Sequence, residues 1–326
     1  EPHDKQTNMN LATICKRLSE HELPSNLLSA GLLLAKSDIA IDCLFDYHLT
    51  SNKDISAIYA LKGRNLKSRW VNEVKGALPE KISETALQST YLEQAYESYE
   101  KGYCENLNHF HCGINALGFL TMLLGLAERH PEIWLQAFET EKEATEKLDD
   151  YKDKQSQLSV CIRLAINIAK QKMTDEEEAE NWLNITEADF ACLTSNKTAR
   201  INLLYKKAMH NASLLQRETA LRQVKMFQLL QLLPENVEAA LKAFPTLTVS
   251  IKQKTHYLLF TGHMLDKPER KVPRFPAEKE NAVREKIKMT IEQELKITGT
   301  DVTGISGGSC GADIIFHEVC EELGIP

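Results

Sequence analysis

Helical periodicity limits what this chain can fold into more than any other feature. From Met9 to Phe244, apolar residues recur at spacings of three and four, and the alternation of β-branched residues that is typical of strands is missing. Short breaks interrupt the pattern at Pro24, Ser51-Asn52, Pro79, Asn106 to Asn108, Pro131, Thr174-Asp175, Asn196 and Pro234. Breaks at such intervals delimit antiparallel helix pairs, and helical hairpins in series predict an α-solenoid.

Four fragments set the phase of these hairpins. In tetratricopeptide-like repeats, small residues lie where two helices cross closely, and bulky residues fill the neighbouring gaps. The matching fragments are Ala40-x3-Leu44-x2-Tyr47, Tyr59-x3-Gly63-x2-Leu66, Ala95-x3-Tyr99-x2-Gly102 and Ile114-x2-Leu117-Gly118. Any one of them also occurs in ordinary amphipathic helices, but their alternating order favours a tetratricopeptide-like solenoid. We therefore expect tight crossings at Ala40, Gly63, Ala95 and Gly118.

Near residue 245 the pattern changes from helical to mixed. A linker over residues 245–255 leads into the apolar run His256 to Thr261, which predicts a buried strand. An amphipathic helix, a second strand over residues 301–305 and a helix from Ala312 to Leu323 follow. The order β-α-β-α predicts the opening of a parallel, Rossmann-like sheet. The expected fold is thus mainly all-α, with a solenoid over 1–244 and a small α/β segment over 256–326.

Glycines mark the candidate site at the end of the second predicted strand. Gly307, Gly308 and Gly311 lie between that strand and the next helix, where the backbone can approach a ligand and the helix N-terminus favours an anion such as phosphate. Ser306 and Ser309 add hydroxyl donors, and Gly262 and His263 end the other strand at the same edge of the sheet. A plain strand-to-helix turn would also use glycine for its dihedral angles.

The C-terminal segment resembles a known superfamily. Leu258-Phe-Thr-Gly-His-Met-Leu-Asp266, Arg274-Phe-Pro-Ala-Glu-Lys279 and Gly304-Ile-Ser-Gly-Gly-Ser-Cys-Gly-Ala-Asp313 are similar to SLOG domains, the Rossmann-like relatives of LOG and DprA proteins. The resemblance implies binding of a nucleotide-derived ligand. The LOG-type phosphoribohydrolases carry Pro-Gly-Gly-x-Gly-Thr-x-x-Glu, from which this loop departs, so the resemblance implies sensing rather than hydrolysis.

The helical part has a resemblance of its own. Ala60-Leu-Lys-Gly-Arg-Asn-Leu-Lys-Ser-Arg-Trp70, Tyr96-Glu-Ser-Tyr-Glu-Lys-Gly-Tyr103 and Gly113-Ile-Asn-Ala-Leu117 resemble the TRAF-binding region of apoptosis signal-regulating kinases and its bacterial counterparts. Such regions bind and regulate without catalytic residues. The resemblance implies a protein or peptide partner, for which the concave groove of a solenoid is the expected surface.

Charge and cysteine usage exclude several classes of protein. The net charge is −7, and residues 251–296 alone carry eleven Lys/Arg against seven Asp/Glu, so the rest of the chain is more acidic still. We therefore expect no nucleic-acid partner. The longest dense apolar stretch, Leu117 to Ala127, is shorter than the roughly 20 residues of a membrane span, so we expect no membrane partner. The eight cysteines stand singly, which favours reduced thiols and a cytoplasmic location.

His109-x-His111-Cys112 has the residue types of a zinc site, but without a second ligand pair we interpret it as helix packing and expect no metal. The chain begins Glu1-Pro2-His3-Asp4, without a start methionine or a signal sequence, and we expect a trimmed fragment. The α/β segment is also expected to be incomplete, because two strands and two helices bury little apolar surface. It should then lean on the last solenoid helices or pair with a second copy.

The leading hypothesis is a regulatory scaffold in which a helical solenoid engages a protein and the C-terminal segment senses a nucleotide-derived ligand. It requires no cofactor and assigns no catalytic residue. Two alternatives remain open. One is an enzyme that cleaves a nucleotide, with the solenoid positioning it; the other is a structural adaptor with an empty glycine loop.

Overall fold

A computed structural model of the chain describes residues 4–22, 27–46, 51–172, 177–244, 256–267, 269–298 and 302–326. The chain divides into two compact units, Glu1–Thr246 and Leu247–Pro326. The first is called the helical unit below and the second the α/β unit.

The helical unit is built from α-helices, with one 3₁₀ turn at Pro79–Lys81. The helices are α1 (Lys5–Glu22), α2 (Leu27–Phe45), α3 (Asn52–Gly76), α4 (Ile82–Gln88), α5 (Thr90–Glu105), α6 (Phe110–Arg129), α7 (Pro131–Leu135), α8 (Glu141–Gln171), α9 (Glu177–Thr194), α10 (Thr198–Asn211), α11 (Leu214–Leu229) and α12 (Pro234–Leu241). Its described residues contain no strand, in agreement with the helical periodicity.

The predicted breaks match helix boundaries wherever the structure describes them. Ser51 precedes α3, Asn106 follows α5, and Pro131 and Pro234 each open a helix at its first position, where the missing N–H costs nothing. The breaks at Pro24 and Thr174-Asp175, the residue Tyr47 and the linker 245–255 lie outside the described residues. Three further boundaries were not predicted: Ser89 separates α4 from α5, residues 136–140 separate α7 from α8, and Ala212 with Ser213 separates α10 from α11.

Consecutive helices pack against each other along the chain. Helix α1 packs on α2, α3 on α5, α5 on α6 and α9 on α10. Helix α6 is the centre of the unit, because it also contacts α3, α4, α7, α8 and α9. By length and composition α6 could span a membrane, so its apolar stretch is longer than the predicted stretch from Leu117 to Ala127. However, 78% of that segment is buried inside the unit. Such burial is typical of a core helix.

Glycines allow three helices to approach closely. A Cβ at Gly63 would lie 3.0 Å from the Tyr99 ring, which brings α3 against α5. At Gly102, a Cβ would lie 2.8 Å from the Cys112 sulfur and 3.2 Å from the Ser56 carbonyl oxygen, in contact with both neighbouring helices. Gly118, by contrast, faces the Gln223 side chain, whose amide nitrogen would be 3.1 Å away. The tightest of these crossings is therefore at Gly102.

Aromatic side chains fill the gaps beside these crossings. Trp70 is fully buried, donates its ring N–H to the Ala86 carbonyl over 3.0 Å and meets Phe119 edge to face. Tyr99, Tyr103 and Trp134 are buried as well. Tyr91 is only half-buried, and Trp182 is 36% exposed.

The α/β unit contains β1 (His256–Phe260), α13 (Glu280–Thr298), β2 (Val302–Ser306) and α14 (Ala312–Glu322). The two strands pair in parallel, from His256 opposite Val302 to Phe260 opposite Ser306. This order agrees with the predicted β-α-β-α pattern, although two short strands do not by themselves define a Rossmann-like sheet. Phe260 stacks on Phe316 of α14, with ring centroids 4.8 Å apart. The other face of the sheet leaves Tyr257, Leu259 and Ile305 exposed.

We expect Gly102→Ala to lower the free energy of unfolding by about 1–3 kcal/mol, because the added methyl group overpacks the crossing of α3, α5 and α6. Gly31→Ala is the matched control, since Gly31 lies within α2 and a Cβ there meets no atom within 4 Å. That control should be neutral or slightly stabilising, as expected for Gly to Ala in a helix. Urea denaturation followed by far-ultraviolet circular dichroism measures both. Equal stability of Gly102→Ala and the unchanged protein would contradict this packing.

Candidate functional site

The two predicted halves of the glycine site lie side by side. Because β1 and β2 are parallel, the segments after Phe260 and Ser306 leave the same edge of the sheet. Backbone bonds then join the two segments: the Leu265 N–H donates to the Cys310 carbonyl over 2.9 Å, and the Ala312 N–H donates to the His263 carbonyl over 3.1 Å. Gly262 and His263 are thus adjacent to the glycine loop, which is defined here as residues 306–311.

A carboxylate of the protein itself lies inside the glycine loop. Asp313, in the first turn of α14, is buried and accepts a hydrogen bond from the Gly262 N–H over 2.7 Å. That bond, together with donors on Ser306 and Ser309, outweighs burial and lowers the pKa of Asp313 below its ordinary value. The side chain therefore stays ionised at neutral pH. Its negative charge also stabilises α14, because it lies in the first turn, at the positive end of the helix dipole.

Most glycines of the site are required by this close packing. A Cβ at Gly262 would lie 2.5 Å from that of Ala312, and one at Gly307 would lie 2.7 Å from an Asp313 carboxylate oxygen. Gly311 has φ of +140°, and a Cβ there would meet the His263 carbonyl oxygen at 2.5 Å. Gly308 differs, because a Cβ there would meet no atom within 4 Å. Only at Gly308 does the surrounding space leave room for a side chain or for a ligand.

The rim of the loop is open to solvent. Gly307, Gly308, Ser309 and His263 are exposed, whereas Ser306 is half-buried and donates its hydroxyl to the Phe260 carbonyl over 3.1 Å. His317, one turn into α14, lies with its Nε2 atom 3.1 Å from the Gly307 carbonyl oxygen. The rim therefore offers the exposed backbone at Gly308 and two imidazoles, with the ionised Asp313 and its Ser309 donors behind them.

This arrangement is suited to holding a polar ligand. The exposed backbone at Gly308 and the imidazoles can donate to phosphate oxygens, and an ionised carboxylate can accept from sugar hydroxyls. The negative charge of Asp313 inside the loop also repels a phosphate group. A phosphate would therefore be held at the outer rim rather than deep in the loop.

The histidines and cysteine that resemble zinc ligands lie elsewhere, in the helical unit. His109 has its Nδ1 atom 2.7 Å from the Ser56 hydroxyl and 3.5 Å from the Cys112 sulfur. His111 points away from this pair, towards Asn115 and Tyr99. Among the described residues, no group of three or more His, Cys, Asp or Glu side chains is arranged to hold a metal ion. All eight cysteines are free thiols.

Comparison with known proteins bears on the helical unit. A family model described as Tetratricopeptide Repeats-Sensor matches residues 2–123, from before α1 into α6. The first part of the chain is therefore a TPR-type helical repeat region. No curated protein and no solved structure matches the chain significantly. The family match ends well before β1 and does not bear on the glycine loop.

Sequence reasoning missed Asp313 as a member of the site. Asp313 ends the segment Gly304-Ile-Ser-Gly-Gly-Ser-Cys-Gly-Ala-Asp313, in which only glycines and serines were assigned a role. The available signal was an acidic residue in the first turn of a helix that follows a glycine loop, a position where a carboxylate is stabilised.

We expect Asp313→Ala to remove the hydrogen bond that joins α14, behind the glycine loop, to the segment after β1. Hydrogen exchange at the Gly262 and Ser309 amides should accelerate, because both lose their carboxylate acceptor. Glu321→Ala, an exposed change on the same helix, is the control and should leave both amides as protected as before. Unchanged exchange at Gly262 in Asp313→Ala would show that the carboxylate does not hold the loop.

Proposed function

We propose that this protein is a regulatory scaffold whose helical unit engages a protein partner and whose α/β unit binds a nucleotide-derived ligand. The TPR-type repeat region supports the first half, because such repeats generally mediate protein–protein contacts. The second half rests on the joined loops at the carboxyl edge of β1 and β2.

The observation that carries the ligand half is the open space at Gly308, in front of the N-terminus of α14. Ligands of open α/β sheets bind where loops leave the carboxyl ends of parallel strands. Gly308 and Ser309 are exposed at that edge, with His263 beside them. Since Asp313 already uses the Gly262 N–H, the outer rim holds the phosphate, and the ionised carboxylate favours a ligand that also carries hydroxyl groups.

Exposed apolar stripes support the partner half. On α1, Leu11, Ile14 and Leu18 are 44–55% exposed at helical spacings. On α2, Leu28 and Leu32 are more exposed still, at 77% and 59%. Large apolar side chains that recur every three or four residues on a solvent-facing surface are typical of a helix that binds another helix or an apolar groove.

An enzyme that cleaves a nucleotide is the second candidate. It uses the same site, in which His263, His317 and Asp313 would be the titratable groups nearest the ligand. Product analysis distinguishes the two functions, because a sensor binds its ligand without consuming it.

Gly308→Asp tests the ligand site. The structure leaves room for the side chain, so the change adds negative charge without disturbing the packing. A panel of ADP-ribose, NAD, AMP and cyclic nucleotides is screened by thermal shift. A ligand at 100 times its dissociation constant stabilises the folded protein by about 2.7 kcal/mol. We expect the ligand that stabilises the unchanged protein to bind Gly308→Asp at least tenfold more weakly.

Gly308→Asn is the matched control for that experiment, as it has the same size without the charge. It should retain most of the affinity. Full affinity in Gly308→Asp would place the ligand elsewhere, and conversion of the ligand into products by the unchanged protein would favour the enzyme.

Leu32→Glu tests the partner half. A photo-crosslinking amino acid in place of Leu28 captures the partner protein. A charge in the middle of the exposed stripe of α2 should abolish that capture, while the circular dichroism spectrum of the chain stays the same. Lys207→Glu, at an exposed position of α10, controls for the added negative charge. Capture that survives Leu32→Glu and Lys207→Glu equally would argue against this surface.

A further inference from the structure

The helical unit holds a group of basic side chains of which only Lys16 forms an ion pair within the described part of the chain. Lys16 of α1, Arg64 and Lys67 of α3, His111 of α6 and Arg222 of α11 interact electrostatically with one another. These five residues are called the basic cluster. Since the chain as a whole carries a net charge of −7, the convergence of positive charge here runs against the composition.

Lys67 is the centre of the basic cluster. Its ammonium donates to the Asn115 side-chain oxygen over 2.9 Å and to the Gln223 side-chain oxygen over 2.6 Å. Both acceptors are neutral amides, and an ammonium group has three hydrogens, so one donor remains. Desolvation, reinforced by the charge of Lys16, lowers the pKa of Lys67 to about 8. Its surroundings thus make the positive charge costly to keep.

Arg64 is even less satisfied than Lys67. One terminal nitrogen reaches the Ala12 carbonyl oxygen at 3.4 Å, and the buried Nε atom has no hydrogen-bond partner. Within the described part of the chain, no carboxylate lies within ion-pair distance of Arg64, Lys67 or Arg222. Unpaired cationic donors in a desolvated place are unfavourable unless something supplies the missing negative charge.

The remaining neighbours of the basic cluster oppose an anion only weakly. Part of His111 faces solvent, but its ring packs edge to face on Tyr99 and lies beside Asn115. Desolvation of the imidazole and the neighbouring positive charges lower its pKa to about 3, so it is neutral and can donate one hydrogen bond. Asp189 is buried and accepts from the Tyr205 hydroxyl over 2.5 Å. Burial raises the pKa of Asp189 to about 7, which weakens its opposition to an incoming anion. Glu20 is already engaged by Lys16, at 2.5 Å.

We propose that the basic cluster binds a phosphate-bearing small molecule. A guanidinium presents a fork of donors that matches phosphate, and a lysine adds a compact point charge, so the pair is suited to this ligand. The cluster is confined to side chains from four helices of one unit, and the overall negative charge disfavours a nucleic-acid backbone. The site is separate from the glycine loop, and the proposal stands whether or not that loop binds a ligand.

The test is calorimetric titration of the full chain with inorganic pyrophosphate at low ionic strength. We expect saturable binding that weakens as salt is added. Lys67→Met and Arg222→Gln should each weaken binding at least tenfold. Because Arg222 is exposed, its replacement leaves the fold intact even if Lys67→Met does not fold. In nuclear magnetic resonance spectra, pyrophosphate should shift the His111 ring signals.

Two controls separate this site from other sources of binding. Lys62→Met removes an exposed lysine from α3 and should bind pyrophosphate as the unchanged protein does. Gly308→Asp removes any binding at the glycine loop, and the binding that remains should still depend on Lys67 and Arg222. Absence of saturable binding to the unchanged protein would overturn the proposal. So would undiminished binding by Arg222→Gln, or binding that is lost only in Gly308→Asp.

Discussion

The close approach of α3, α5 and α6 is the contact on which the helical unit depends. Glycine allows this approach: a Cβ at Gly102 would overlap the Cys112 sulfur, at 2.8 Å, and a Cβ at Gly63 would press on the Tyr99 ring, at 3.0 Å. The Ser56 hydroxyl then reaches the Gly102 carbonyl at 2.6 Å, so the crossing is held by a buried hydrogen bond as well as by packing. Since α6 is enclosed by this contact and by the later helices, the rest of the unit is organised around it.

The same contact explains how charged side chains come to be crowded together. Arg64 and Lys67 follow Gly63 on α3, and His111 opens α6 across the crossing. If α3 and α6 were held apart by larger residues, these side chains would extend into water, as long basic side chains usually do. Close packing instead brings them together in a place with few acids, so packing and the proposed anion site have a common origin.

Much of the fold could be predicted from the sequence, because it follows from local signals. Periodicity predicted the helices, and proline and asparagine predicted most of their ends, as at Pro131 and Pro234. The β-α-β-α order was also predicted from the apolar runs and the glycine loop. The short helices α4 and α7 were not separated from the helices that follow them, because fewer than two turns give too few positions to establish a period.

The functional geometry was harder to predict, since it depends on contacts between distant segments. The glycines around Asp313 were interpreted as ligand contacts, whereas Gly262, Gly307 and Gly311 serve mainly to let two loops meet. Lys67 did leave a signal: it occupies the buried stripe of α3 between Gly63 and Trp70, at spacings of four and three. A lysine in a core position is unusual enough to mark a site, but its partners Asn115 and Gln223 lie far away in the sequence.

The buried Asp189 has a consequence for the thermodynamics of the whole unit. Its pKa of about 7 lies well above the ordinary value of 3.8, so between these pH values the folded protein holds a proton that the unfolded chain has released. This residue therefore makes folding less favourable as pH rises from about 4 to 7. An anion bound at the nearby Lys67 would raise the pKa of Asp189 further, and binding near neutral pH would take up part of a proton from the buffer. The measured enthalpy of anion binding would then depend on the ionisation enthalpy of that buffer. The protonation state of the buried Asp189 is thereby linked to the heat of anion binding.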